Sequence, residues 1–136
     1  MPSDALLALA GTSASPITST TTPVNNTAIT LPTGTPRRGL KARVIYSAAT
    51  AASGSDTAQF NIDVSYDGGS TYTATAFAPT IGPLATTALS GEIFIPFEVS
   101  PTSVANQIKI RLTLVLSSTA HTDTITYFSD LLLARP

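Results

Sequence analysis

The sequence predicts an all-β chain: a two-sheet antiparallel sandwich of jelly-roll or Greek-key type with an extended amino-terminal arm. Three observations predict it. First, Gln107–Leu116 reads Q-I-K-I-R-L-T-L-V-L, with Ile108, Ile110, Leu112, Leu114 and Leu116 on every second position. Period two over ten residues marks a strand with one face buried and one face wet; a helix would scatter those side chains around its circumference. Second, the chain is rich in Thr, Ser and Ala, and ten prolines and eight glycines punctuate it throughout. Branched Thr favours strands, and such punctuation makes many turns. Third, Asp67-Gly68-Gly69-Ser70 separates two strand-like runs. Glycine tolerates positive φ, so this is a hairpin signal.

At 136 residues the expectation is one domain with a real core. Within it, residues 1–36 read as an amino-terminal strand and Thr/Ser/Pro-rich arm, and residues 37–136 as the sandwich. There is no cysteine, which excludes disulfides and thiolate metal sites. Charged residues make up 11% of the chain, against about 25% in ordinary domains. A net charge of -1 supplies no field to gather nucleic acid or an anionic membrane. No apolar run approaches the roughly 20 residues of a membrane span. Ala5–Ala10 is apolar but follows Asp4 and no basic residue, unlike a secretory leader.

Taken in order, Leu6, Leu7 and Leu9 form a short apolar cluster that reads as an edge strand or one helical turn. Gly11–Pro36 is almost entirely Thr, Ser, Pro, Asn and Gly and cannot bury enough surface to fold alone. It reads either as short strands around Ile17 and Ala28–Leu31 or as an arm ordered only on a partner. Thr27–Leu31 is taken as strand, and deletion of the arm is expected to leave the sandwich folded. Arg37-Arg38-Gly39 is a solvated turn or an anchor for an acidic surface. Leu40–Ala48 alternates with Leu40, Ala42, Val44 and Tyr46 inward, and Ile45 breaks the pattern. Ala48–Ser55 reads as a loop. Thr57–Tyr66 is a strand with Phe60, Ile62, Val64 and Tyr66 inward, and Thr71–Ala78 returns from the hairpin.

Pro79–Ser90 is a long connection with room for a short strand near Leu84–Leu89. Gly91–Val99 is a strand with Ile93, Ile95, Phe97 and Val99 inward. Pro96 assigns it to a sheet edge or a bulge, because proline cannot donate to a ladder. Ser117–Thr122 turns, and Asp123–Ala134 closes the chain with Ile125, Tyr127, Leu131 and Leu133. The total is about seven or eight strands.

The residues offer no catalytic, cofactor-binding or metal-ligating set. His121 is the one histidine and sits in a predicted turn, so a hydrolytic triad would have to use it. Glu92 and Glu98 lie on one strand face roughly 20 Å apart, beyond the ~5–9.5 Å of a glycosidase pair. Asp63, Asp67, Gly68 and Gly69 lack the ligand spacing of a calcium loop. Tyr72 and Phe77 are the better exposed aromatic candidates for binding.

From Tyr46 to Tyr72 the order is a strand, an alanine-rich loop, then Q-F-N-I-D-V-S-Y-D-G-G-S-T-Y. This order resembles small virion proteins of tailed bacteriophages. With the edge strand bearing Ile93, Ile95 and Phe97, and the following strand bearing Lys109 and Arg111, the layout is similar to jelly-roll cement, or decoration, proteins of phage capsids. The resemblance covers roughly residues 28–134. It implies a non-enzymatic virion protein on the outer capsid surface, made in the host cytoplasm. It implies a homodimer or homotrimer that bridges major capsid protein subunits, with no nucleic-acid or membrane partner. The alternative is a carbohydrate- or receptor-binding module of a phage fibre or neck. Candidate contact residues are Arg37, Arg38, Asp67, Gly68, Gly69, Tyr72, Phe77, Lys109 and Arg111.

Overall fold

The computed structural model describes residues 8–19, 23–31, 38–51, 56–75, 77–84, 87–100, 108–117 and 123–132. Among these residues eleven strands are present: β1 (Ala8–Ala10), β2 (Ile17–Ser19), β3 (Val24–Asn25), β4 (Ile29–Thr30), β5 (Leu40–Thr50), β6 (Ala58–Ser65), β7 (Thr73–Ala74), β8 (Thr80–Ile81), β9 (Leu89–Phe97), β10 (Lys109–Leu116) and β11 (Thr124–Leu132). All pairings are antiparallel. One sheet runs β1-β11-β5-β9, with β2 also on β11. The other runs β3-β10-β6-β7, with β4 also on β10 and β8 also on β6. The two sheets pack face to face as a β-sandwich, as the alternation predicts.

The predicted central strand pairs with β6 in unbroken register from Lys109↔Ser65 to Leu116↔Ala58. All five of its alternating aliphatics are buried, and so are Phe60, Ile62 and Val64 opposite them. The facing sheet contributes Leu40, Ala42, Val44, Ile95, Phe97, Ile125, Tyr127 and Leu131. Phe60 meets Tyr127 edge-on across the interior, with centroids 5.3 Å apart and planes at 68°, a favoured aromatic geometry. Each fully buried aliphatic contributes about 1.5–3 kcal/mol.

One polar link crosses this core. Asn26 follows β3, and its Nδ2 donates to the Leu112 carbonyl at 3.1 Å and to Tyr127 Oη at 3.0 Å. Its own backbone N–H also reaches the Leu112 carbonyl, at 3.0 Å. Asn26 therefore ties β10 of one sheet to β11 of the other. Burial pushes the Tyr127 phenol above its ordinary range, with the Asn26 hydrogen bond opposing it.

The structure departs from the expectations in several places. For residues 1–36 the described part follows the short-strand reading, at Leu9, around Ile17 and within Thr27–Leu31, rather than that of an arm ordered only on a partner: β1 and β2 extend the edge of β11, and β3 and β4 extend that of β10. Leu9, Ala10 and Leu31 belong to the core. Strands of two and three residues carry no period that reveals their partners, so their place beside β10 and β11 was not readable. Strand β5 runs on to Thr50, through the segment read as a loop from Ala48. Its register against β11 jumps from Tyr127↔Tyr46 to Thr126↔Ala48, so Ser47 is an extra residue. Such a bulge flips the alternation: before it Leu40, Ala42 and Val44 face in, and after it Ala49 and Ala51 do.

The hairpin return is shorter than Thr71–Ala78. Among the described residues there, Thr73–Ala74 and Thr80–Ile81 form strand, and Thr75 N–H and Phe60 N–H keep the segment bonded along β6 through the Ile62 and Pro79 carbonyls. The short strand expected near Leu84–Leu89 is absent among the described residues: Leu84 instead plugs the core, and β9 begins at Leu89. Strand β9 is an edge strand, as Pro96 requires. Proline and the exposed Glu92 and Glu98 also guard that edge against pairing with another chain.

Candidate functional site

The hairpin between β6 and β7 brings six of the nine candidate residues together: Asp67, Gly68, Gly69, Tyr72, Lys109 and Arg111. Asp67 organises the turn. Its Oδ1 accepts hydrogen bonds from Ser65 Oγ at 2.7 Å and from the Ser70 and Thr71 N–H groups, each at 3.0 Å. Its Oδ2 accepts from Thr71 Oγ1 at 2.6 Å. Gly68 and Gly69 follow with φ of 77° and 100°, the left-handed region that Cβ disfavours. At Gly69 a Cβ would lie 3.2 Å from Lys109 Cδ and 3.3 Å from Tyr72 Oη, so the turn also needs the missing side chain for space.

These bonds hold the Asp67 carboxyl well below the usual carboxylate range, the Thr71 hydroxyl first, then Thr71 N–H and Ser65. A depressed pKa adds stability above the unfolded-state value of about 4 and loses it as pH falls below that. Asp67→Asn is therefore expected to flatten the acid limb of the melting-temperature profile between about pH 2 and 5. Thermal melts of both proteins across that range check it; parallel profiles would contradict it.

Arg111 sits across from Asp63 in the β10–β6 register. Its Nε donates to Asp63 Oδ2 at 3.2 Å, and Thr113 Oγ1 donates to the same oxygen at 2.8 Å. The guanidinium carbon lies 3.8 Å from the centre of the Tyr72 ring, a cation–π stack. Tyr72 is thus half-covered by Arg111, and the expected exposed ring is a lid on an ion pair. The Asp67 carboxylate is engaged in closing the turn, and Asp63 with Arg111 in holding β6 and Tyr72 onto β10.

Phe77 lies elsewhere. It is 48% exposed and lines a groove of about 420 Å³ with Val64, Tyr66, Thr73, Ala74, Thr75, Pro96, Phe97 and Glu98. The groove runs between the β6–β7 margin of one sheet and the β9 edge of the other. Tyr66, expected inside, is 41% exposed here. It keeps the inward parity of Phe60, Ile62 and Val64, but β6 ends at Ser65, where the sandwich opens. Its Oη accepts a hydrogen bond from Ser100 N–H at 3.0 Å, which bridges the two margins. The signal for this site was the odd placement of an aromatic at the last inward position of a strand.

Arg38 is exposed before β5. Arg37 and His121 lie outside the described residues. No group of His, Cys, Asp and Glu able to hold a metal ion occurs among the described residues. Compared with protein-family models, curated proteins and solved structures, the chain matches none.

Proposed function

We propose that this chain is a structural virion protein that binds the outer capsid surface as a homo-oligomer and bridges major capsid protein subunits. The observation that carries the reading is the groove: two large aromatic side chains, Tyr66 and Phe77, stand exposed at the open margin of a stable sandwich. Aromatic residues are enriched at protein interfaces, where they fill apolar pockets on a partner. Glu98 is the one charged residue in the groove lining, and the rest is apolar, aromatic or threonine.

The jelly-roll layout implied by the resemblance draws support from strand order. Counting β1 with β2, β3 with β4 and β7 with β8 as single strands leaves eight, ordered 1-8-3-6 and 2-7-4-5. That is the order of two nested Greek keys wrapped as a jelly roll. On a shell, weak groove contacts repeated by symmetry gain strength through avidity.

The test is binding of purified protein to undecorated, expanded capsids. Replacing both rings, Tyr66→Ser with Phe77→Ser, is expected to weaken binding by roughly thirtyfold or more, the range of an interface hot spot. Circular dichroism checks that the double variant keeps the sandwich, since Tyr66→Ser also removes the hydrogen bond from Ser100 N–H. Undiminished binding by the folded double variant would sink the groove assignment. A second reading, a carbohydrate- or receptor-binding module, rests on the same two rings, which could stack on a sugar. Glycan-array hits that disappear with the double variant would favour it.

A further inference from the structure

The groove beside Tyr66 and Phe77 is chemically one-sided. Its single charge is the acid Glu98, and no Lys, Arg or His lines it among the described residues. Glu98 directly follows β9, is exposed, and takes part in no ion pair among the described residues. Arg38, the exposed base just before the neighbouring strand β5, forms none there either. Lys41 lies opposite Pro96 in the β5–β9 register, but its Nζ sits over the Phe94 ring at 5.2 Å. An ionised carboxylate only accepts hydrogen bonds, and Pro96 has no N–H to give. The aromatic faces are negative as well. What this groove lacks is a positive charge that donates hydrogen bonds.

The same chain shows which group completes such a set. At the hairpin, the Tyr72 ring and the Asp63 carboxylate share one guanidinium. The Arg111 guanidinium carbon lies 3.8 Å from the ring centre, and its Nε donates to Asp63 Oδ2 at 3.2 Å. A planar guanidinium does both at once: its face stacks on a ring while its edge N–H groups aim at a carboxylate, and the compact ammonium of lysine lacks that flat face. The groove repeats the rings and the carboxylate without the cation. Its Tyr66 ring is already held in place, because Ser100 N–H donates to Tyr66 Oη at 3.0 Å. A ring fixed beforehand costs less ordering when a ligand arrives.

We infer that the groove receives an arginine side chain presented by a partner protein, with Glu98 as the counter-ion and Tyr66 and Phe77 as the stacking surfaces. Charge complementarity selects this occupant. An acidic segment meets repulsion from Glu98, which disfavours it as a partner. A neutral apolar segment or a sugar uses the rings but leaves the carboxylate unmatched. The inference rests on the reading of the groove as contact surface in the proposed function, and it names the chemistry of the group that docks there.

The test is an NMR titration of the full chain with N-acetyl-arginine amide, with no capsid present. N-acetyl-citrulline amide, its neutral isostere, serves as the control. The arginine probe is expected to shift the ring signals of Tyr66 and Phe77, and the citrulline probe to bind about tenfold or more weakly. Glu98→Gln should weaken the arginine probe by about tenfold or more and leave the citrulline probe unchanged. Phe77→Ser should weaken the arginine probe too, with thermal melts confirming that both variants fold. No ring shift with the arginine probe, equal binding of the two probes, or undiminished arginine binding by Glu98→Gln would each overturn the inference. So would glycan binding at these rings that survives Glu98→Gln, since the groove would then belong to a sugar. Capsid binding is read in a separate assay. A protein that takes the arginine probe but leaves capsids bare sinks the capsid reading alone, and one that binds capsids through its rings but ignores the probe sinks this inference alone.

Discussion

Removing residues 1–31 is expected to unfold the domain. Four strands, β1 to β4, lie in that segment and form one margin of both sheets. Without them the outer edges of β10 and β11 lose their ladder partners, including the Leu31 N–H bond to the Ile108 carbonyl at 2.9 Å. The core also loses Leu9 and Leu31, each 2% exposed. Truncating one buried leucine costs about 2–5 kcal/mol, so two approach the 5–15 kcal/mol that holds a whole domain folded. The truncated chain should therefore show no cooperative thermal transition. A milder variant gives a graded result: Leu9→Ala should lower stability by about 2–5 kcal/mol in urea denaturation. A truncated chain that melts cooperatively near the full-length temperature would restore the picture of a dispensable arm.

Loss of the Tyr127 ring is the second large effect. Tyr127 is fully buried, packs edge-on against Phe60 and accepts the Asn26 amide. Tyr127→Ala combines a cavity with an orphaned amide, and is expected to cost about 3–5 kcal/mol. Tyr127→Phe keeps the ring and removes only the hydroxyl, so it should cost about 1–3 kcal/mol. Asn26→Ala should fall in the same range, because it strands the buried hydroxyl. A double-mutant cycle between Tyr127→Phe and Asn26→Ala should show a coupling of about 0.5–3 kcal/mol. Strictly additive effects in urea denaturation would mean that the link contributes nothing as a pair.

How much of this could be read beforehand depends on the length of each element. The five aliphatics from Ile108 to Leu116 announced their own burial, because ten residues are enough for period two to stand out. The facing run from Phe60 to Val64 did the same. Of the short strands β1 to β4, those at Leu9, Ile17 and Ile29 were readable as strands, but two or three residues have no period to reveal their pairing. Their partners are set by β10 and β11, more than a hundred residues away for β1 and β2. The bulge at Ser47 was hidden for a related reason: small Ala and Ser side chains on both sides leave the change of parity unmarked.

The candidate site was legible only in part. Asp67, Gly68 and Gly69 revealed a turn through their chemistry, and the structure shows how the carboxylate is used up inside it. Tyr72 and Arg111 lie far apart in the chain, and only the strand register stacks one on the other. Ile45 broke the alternation of its strand when read alone. Set between Phe128 and Glu92 in the sheet, the same residue becomes part of an outward apolar row. Alternation along one strand assigns a face, but it cannot say which side chains from neighbouring strands share it.

The capsid-binding reading is tested most directly by imaging. Purified protein is mixed with undecorated, expanded capsids, and the particles are reconstructed by cryo-electron microscopy. The account predicts density over the joints between capsomers, with the margin that carries Tyr66 and Phe77 turned towards the shell. Bare capsids, or density confined to the portal vertex or tail, would contradict it.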